Sequence, residues 1–127
     1  VRLLVRGNCS LVPGIKGVSE NIYVNAIIDR YLEHSRIFIF CNGGKPKYFL
    51  GSADWMSRNL DRRVEVVTPV YDPDLKRELD LVVDYGLRDV SQGHFVNEQG
   101  RRPRRYVEDK PWFRSQEALY RHYLEEI

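Results

Sequence analysis

The stretch "RIFIFCNGGKPKYFLGS", residues 36–52, decides how the rest of the chain is read. Residues 36–41 are a near-continuous apolar run rich in Ile and Phe, the pattern of a strand covered on both faces. "NGGKP" at 42–46 supplies turn chemistry, and "KYFLGS" at 47–52 reads as the return strand. A connection that short cannot make a parallel crossover, so the two strands must pair antiparallel.

Upstream, "VRLLVRG" (1–7) reads as a short strand ending in a Gly turn, and "SLVPGIKGV" (10–18) as a loop. Ser19 is placed to cap a helix over 20–33, with Glu20 in its first turn. Val24, Ile27, Ile28, Tyr31 and Leu32 fall on one face of that helix. Downstream, "DWMSRN" (54–59) suits one or two helical turns, and "RRVEVVTPV" (62–70) a third long strand. Asp72 followed by Pro73 is a helix start, and Leu75, Leu79, Val82 and Val83 continue a stripe to about Gly86. Residues 88–111 are polar and irregular, and Ser115 caps a last helix with Leu119, Tyr120, Tyr123, Leu124 and Ile127 on one side. Strands alternating with helices predict an α/β fold. Its mixed sheet is flanked by helices, in one domain over 1–127 whose last part, 88–127, is partly irregular and ends in a helix.

A chain of 127 residues can bury one core. It has no run of about 18 apolar residues, so no segment reads as a membrane span. "VRLLVRGN" has neither the apolar length nor the small-residue cleavage site of a signal peptide. A formal charge of +2 is too small to imply polyanion binding by itself. Two cysteines, Cys9 and Cys41, make neither a disulfide framework nor a zinc site, and suit reduced thiols in a cytosolic protein. The chain opens on Val1, already in strand-like sequence, and is expected to be a piece of a longer protein.

Three features could carry chemistry. His34 falls where the predicted helix ends, a common place for a favourable charge. Arg36 lies two positions on, and in a strand those side chains would project together. A cation there favours neutral imidazole, able to act as base or nucleophile, while the guanidinium suits a phosphoryl group. A solvated strand end explains Arg36 equally well. Glu65 sits among β-branched residues in "VEVV", where a buried carboxylate needs a partner. It could pair with Arg62 or Arg63, or orient an imidazole. In "LGSADWMSRNLDRR" (50–63), Gly51 permits close approach of a ligand, and Ser52 and Asn59 could donate hydrogen bonds to phosphate. The same residues also suit an ordinary surface turn with a capped helix. "GRRPRR" (100–105) is a weak polyanion signal and more commonly a solvated loop. "GGK" at 43–45 lacks the spacing of a P-loop.

Taken together, "RGNCSLVPGIKGVSENI", "DRYLEHSRIFIFCNGG" and "LGSADWMSRNLDRRVEV" closely resemble the C-terminal domain of bacterial polyphosphate kinases, nearly unbroken from residue 1 to 86. That family is similar in fold to the phospholipase D superfamily, whose motif is His-x-Lys with an Asp seven residues after the His. Here the Lys position is Arg36 and the Asp position is Cys41, while Gly51, Ser52, Asn59 and Glu65 keep the later features. Those departures count against phosphodiester hydrolysis and match polyphosphate kinases.

The resemblance implies reversible transfer of the ATP γ-phosphate to polyphosphate through a phosphohistidine carried by a preceding domain. It implies His34, Arg6 and Glu65 as catalytic residues, with Arg6, Arg36, Ser52 and Asn59 holding phosphate. It implies no metal ligands in this chain, Mg²⁺ arriving with ATP, and ATP/ADP and polyphosphate as partners. The remaining domains of the parent and a homo-oligomer are further partners; nucleic acid is not one. It also implies a cytoplasmic location, with peripheral attachment to the inner membrane face as an option for the whole enzyme. Two other functions fit the residues: a phospholipase D-type phosphodiesterase or nuclease half-domain, and a non-catalytic polyphosphate-binding module.

Overall fold

In a computed structural model, which describes residues 1–7, 9–100, 103 and 112–125, the segment expected as a helix over 20–33 contains a strand. This strand, β2 (Tyr23–Ile27), lies between β1 (Arg2–Leu4) and β6 (Gly93–Phe95). It pairs parallel with β1, Leu3 opposite Val24, and antiparallel with β6, Asn25 opposite Phe95. A short apolar run fits helical spacing and a buried strand alike. Ladders on both sides decide for the strand, burying Val24, Ala26 and Ile27. Ser19 caps no helix. It is buried in the preceding loop, where its hydroxyl donates to the Val12 carbonyl at 2.7 Å and accepts from the Ile15 N–H at 3.1 Å.

The described residues form two compact units, 1–33 with 82–127 and 34–81. The first holds the β1-β2-β6 sheet, the C-terminal part of α2 (Pro73–Arg88), and α3 (Ser115–Glu125). Residues 88–111 are therefore not wholly irregular, since β6 lies among them. The Asn25 side chain reaches from β2 to the Gly86 carbonyl at 3.2 Å, taking up one of the carbonyls that a helix end leaves open. Asp89 follows α2 and is fully buried. One of its oxygens accepts from the Ser91 and Gln92 N–H groups, the other from the Ser115 N–H at 2.7 Å and the Ser115 hydroxyl at 2.8 Å. The first turn of α3 is thus capped by a carboxylate from far along the chain, at the end where negative charge is favoured. Ser115 starts this helix as expected, but as a donor to Asp89.

The second unit is a three-stranded antiparallel meander: β3 (Ile37–Phe40), β4 (Lys47–Gly51) and β5 (Val67–Val70). Its hairpin forms where the sequence predicts it, with Ile37 opposite Leu50 and Phe40 opposite Lys47. The turn passes through left-handed backbone at Asn42, Gly43 and Gly44, which two glycines make inexpensive. The strand expected over 62–70 pairs only from Val67. Pro69 falls within it, tolerated because β5 is an edge strand. After β4, Ala53 is buried, and Trp55 stacks on Phe38 with ring centroids 5.8 Å apart. A short helix α1 (Ser57–Leu60) follows. α2 begins at Pro73, as read, with Asp72 Oδ1 accepting from the N–H groups of Asp74 and Leu75. No helix among the described residues is long and apolar enough to cross a membrane.

Candidate functional site

The hairpin determines where the polar residues after it fall. A Cβ on Gly51 would lie 3.1 Å from the Phe38 ring and 3.3 Å from Val67 Cγ2. The close approach expected of a ligand at Gly51 is made by the neighbouring strands. Ser52 then locks the crossing to β5: its N–H donates to the Val66 carbonyl at 3.0 Å, and its hydroxyl oxygen accepts from the Val66 N–H at 3.1 Å. That places the Ser52 hydroxyl against Glu65, to which it donates a short hydrogen bond.

Asn59 completes this cluster. It is 3% exposed, on α1, and its amide donates to Glu65 Oε1 at 2.8 Å. Glu65 therefore has a donor on each carboxylate oxygen. The Ser52 hydroxyl, and after it the Asn59 amide, stabilise the ionised form and hold the Glu65 carboxyl below the usual carboxylate range. Sequence reasoning expected Glu65 inside a buried strand. It sits instead in the unpaired residues before β5, flanked by the exposed Val64 and Val66. The anomaly was therefore real but its cause was not burial. With a donor on each oxygen, the Glu65 carboxylate is held in place and its ionised form is favoured.

Arg36 precedes β3 by one residue, and its carbonyl accepts from the Gly51 N–H at 2.9 Å. His34 lies further out, so strand alternation does not set the two side chains side by side. The guanidinium turns to Asp54, with Nε at 3.1 Å and Nη2 at 2.8 Å from Oδ1. Its Nη1 donates to the His34 carbonyl at 2.6 Å. Three of the five N–H groups are engaged this way, and no described residue accepts from the other two. Asp54 is the residue sequence reasoning missed; its position two after Ser52, facing an Arg that needs neutralising, was the available signal. The His34 side chain is exposed and makes no hydrogen bond with a described residue, Glu65 included.

Of the expected site residues, the structure joins Ser52, Asn59 and Glu65 in one cluster and ties Arg36 to the His34 backbone. Arg6 belongs to the other unit, exposed, two residues past β1. It follows Val5, whose N–H still donates to the Asn25 carbonyl at 2.9 Å. Most of "GRRPRR" lies outside the described residues. No group of three or more His, Cys, Asp or Glu side chains among the described residues could hold a metal. Asp54 is committed to Arg36, and Glu65 to Ser52 and Asn59. These carboxylates do not form a cage of oxygen ligands for Mg²⁺.

Residues 1–116 match the family "Polyphosphate kinase C-terminal domain 2". The polyphosphate kinase of Parasynechococcus marenigrum is 54% identical over 106 residues, covering 78% of this chain and 15% of that protein. That of Escherichia coli (strain K12) is 48% identical over 99 residues, covering 78% and 14%. The crystal structure of polyphosphate kinase from Porphyromonas gingivalis superposes with a TM-score of 0.92 at 42% identity, covering 98% of this chain and 19% of that one. The chain thus spans about a seventh of the curated relatives named here. The α/β, phospholipase D-like architecture expected from the sequence is found, with two small sheets, one mixed and one antiparallel, where a single mixed sheet was expected. This chain belongs to the polyphosphate kinase C-terminal domain 2 family.

Proposed function

We propose that this chain supplies part of the phosphoryl-transfer site of a polyphosphate kinase. The reaction is reversible transfer of the ATP γ-phosphate to the end of a polyphosphate chain. A phosphohistidine elsewhere in the parent enzyme carries the phosphoryl group. The observation that carries the reading is the family match over residues 1–116. Phosphoryl transfer needs positioning and charge neutralisation more than new covalent chemistry, and the residues here are of that kind. Arg6 and Arg36 each neutralise phosphate oxygens, Arg36 through the two N–H groups that no described residue engages. His34 moves a proton or stabilises the group in flight. Glu65, kept ionised by Ser52 and Asn59, supplies the fixed negative charge that orients an N–H donor. Mg²⁺ arrives with the nucleotide.

The test is the full-length enzyme with His34→Ala. ATP-dependent polyphosphate synthesis is expected to fall by about a hundredfold or more, as removal of a positioned proton-transfer group does. When the enzyme is incubated with ATP labelled on the γ-phosphate, no acid-labile label is expected on His34. Label on His34 would make it the nucleophile and return the phospholipase D-type reading. Full activity without His34 would leave a polyphosphate-binding module.

A further inference from the structure

His34 has no secondary structure around it: residues 28–36 lie between β2 and β3 with no ladder of their own. Such a segment would let a side chain wander unless something fixes its backbone. Two sets of contacts do so. On the C-terminal side, Arg36 Nη1 donates to the His34 carbonyl at 2.6 Å, and the same guanidinium is anchored on Asp54. On the N-terminal side, the start of α3 grips the segment at three successive alternate residues. Arg114 makes a bidentate ion pair with Asp29, at 2.8 Å and 2.5 Å. The Asp29 side chain is only 2% exposed. Gln116 accepts from the Tyr31 N–H at 3.0 Å and donates to the Tyr31 carbonyl at 2.9 Å. It also donates to Glu33 Oε1 at 2.7 Å, one peptide bond before His34. A side-chain amide that both accepts from and donates to one residue's backbone imitates a strand neighbour.

We infer that Arg114 and Gln116 are positioning residues for His34: they fix the backbone of residues 29–33 so that the imidazole is presented in one place while its ring stays free. This rests on the role proposed above for His34. A helix more than 80 residues away in sequence thereby fixes the backbone that leads into His34. Buried Asp89 holds that helix by the N–H and hydroxyl of Ser115, the residue between Arg114 and Gln116. The grip therefore comes from a fixed base. The grip differs from a merely stabilising contact in what it should control: the rate of the chemical step, not the strength of ATP binding.

The experiment uses the full-length enzyme carrying this chain. Gln116→Met keeps the side chain's length and removes every hydrogen bond it makes. The expected result is a fall in kcat for polyphosphate synthesis of about tenfold or more, the size of loss that a displaced catalytic group gives. KM for ATP should stay within about twofold, and the thermal midpoint within about 2 °C. Arg114→Lys keeps the charge and loses the fork, and should lower kcat in the same direction by less. An unchanged kcat in Gln116→Met overturns the inference. So does a loss confined to KM, or one accounted for by unfolded protein in circular dichroism. His34→Ala separates the two claims. If it keeps the wild-type rate, the role of His34 itself fails. If it loses the rate while Gln116→Met does not, the tether alone fails.

Discussion

Glu65 shows how little burial is needed to commit a carboxylate. Its two donors, Ser52 and Asn59, favour the charged form, so the folded carboxyl titrates below the ordinary value of about 4.3. The sign follows: the contribution to stability is complete above the unfolded carboxyl's pKa and is lost as pH falls through the lower folded value. Ser52→Ala removes the largest cause. If the site needs Glu65 ionised, the acid limb of the rate profile of the full enzyme moves to higher pH in that variant, which a kcat titration reads directly. Glu65→Gln keeps shape and loses charge; polyphosphate synthesis should drop about tenfold to a hundredfold. Asp29 follows the same sign for a different reason. The Arg114 guanidinium holds its carboxyl below the usual range. Arg114→Ala leaves the Asp29 carboxylate without its ion-pair partner and should lower the thermal midpoint. The loss should be greatest at neutral pH and shrink as pH falls through the lowered folded pKa of Asp29, measured as the thermal midpoint against pH.

Among the elements, local signals sufficed where chemistry is local. Asp72–Pro73 named the start of α2, and the Asn42–Gly43–Gly44 turn fixed the hairpin, because each solves a backbone problem within a few residues. They failed where partners are distant. "YVNAI" is a strand only because β1 and β6 flank it, and "GHF" is one only because β2 offers an edge. The candidate site divides in the same way. Ser52, Asn59 and Glu65 could be read together from their spacing, since one hairpin crossing and one short helix bring them together. Asp54 as the partner of Arg36 had only the weak signal of its place two residues after Ser52, and Gln116 as the partner of Tyr31 had none, since nothing near either residue announces the other. Asp89 is the extreme case: an unremarkable Asp in sequence that caps a helix starting 26 residues later. Asp89→Asn turns an acceptor into a donor facing N–H and O–H groups. Local opening around this carboxylate should become easier by about 2–3 kcal/mol, the cost of unsatisfied buried groups, seen as faster amide exchange in residues 115–125 and at Ser91 and Gln92.

For the whole molecule, the decisive fact is the share of its relatives that the chain represents, 15% and 14% in the two named above. The proposed phosphohistidine mechanism needs a phosphate carrier, which is proposed to lie in the remainder of a longer enzyme. The chain alone should therefore show no ATP-dependent polyphosphate synthesis above background, measured with labelled ATP. Synthesis by residues 1–127 alone would require a self-contained site.

The Phe38–Trp55 stack supplies an optical handle on this chemistry. Trp55 is 74% exposed and adjoins Asp54, the counter-ion of Arg36. The chain's other indole is Trp112, so Trp112→Phe leaves one emitter within this domain. A phosphate that draws Arg36 away from Asp54 changes the charge one residue from that ring. Such a variant of the domain would report occupancy as a shift in its own fluorescence, without an attached dye.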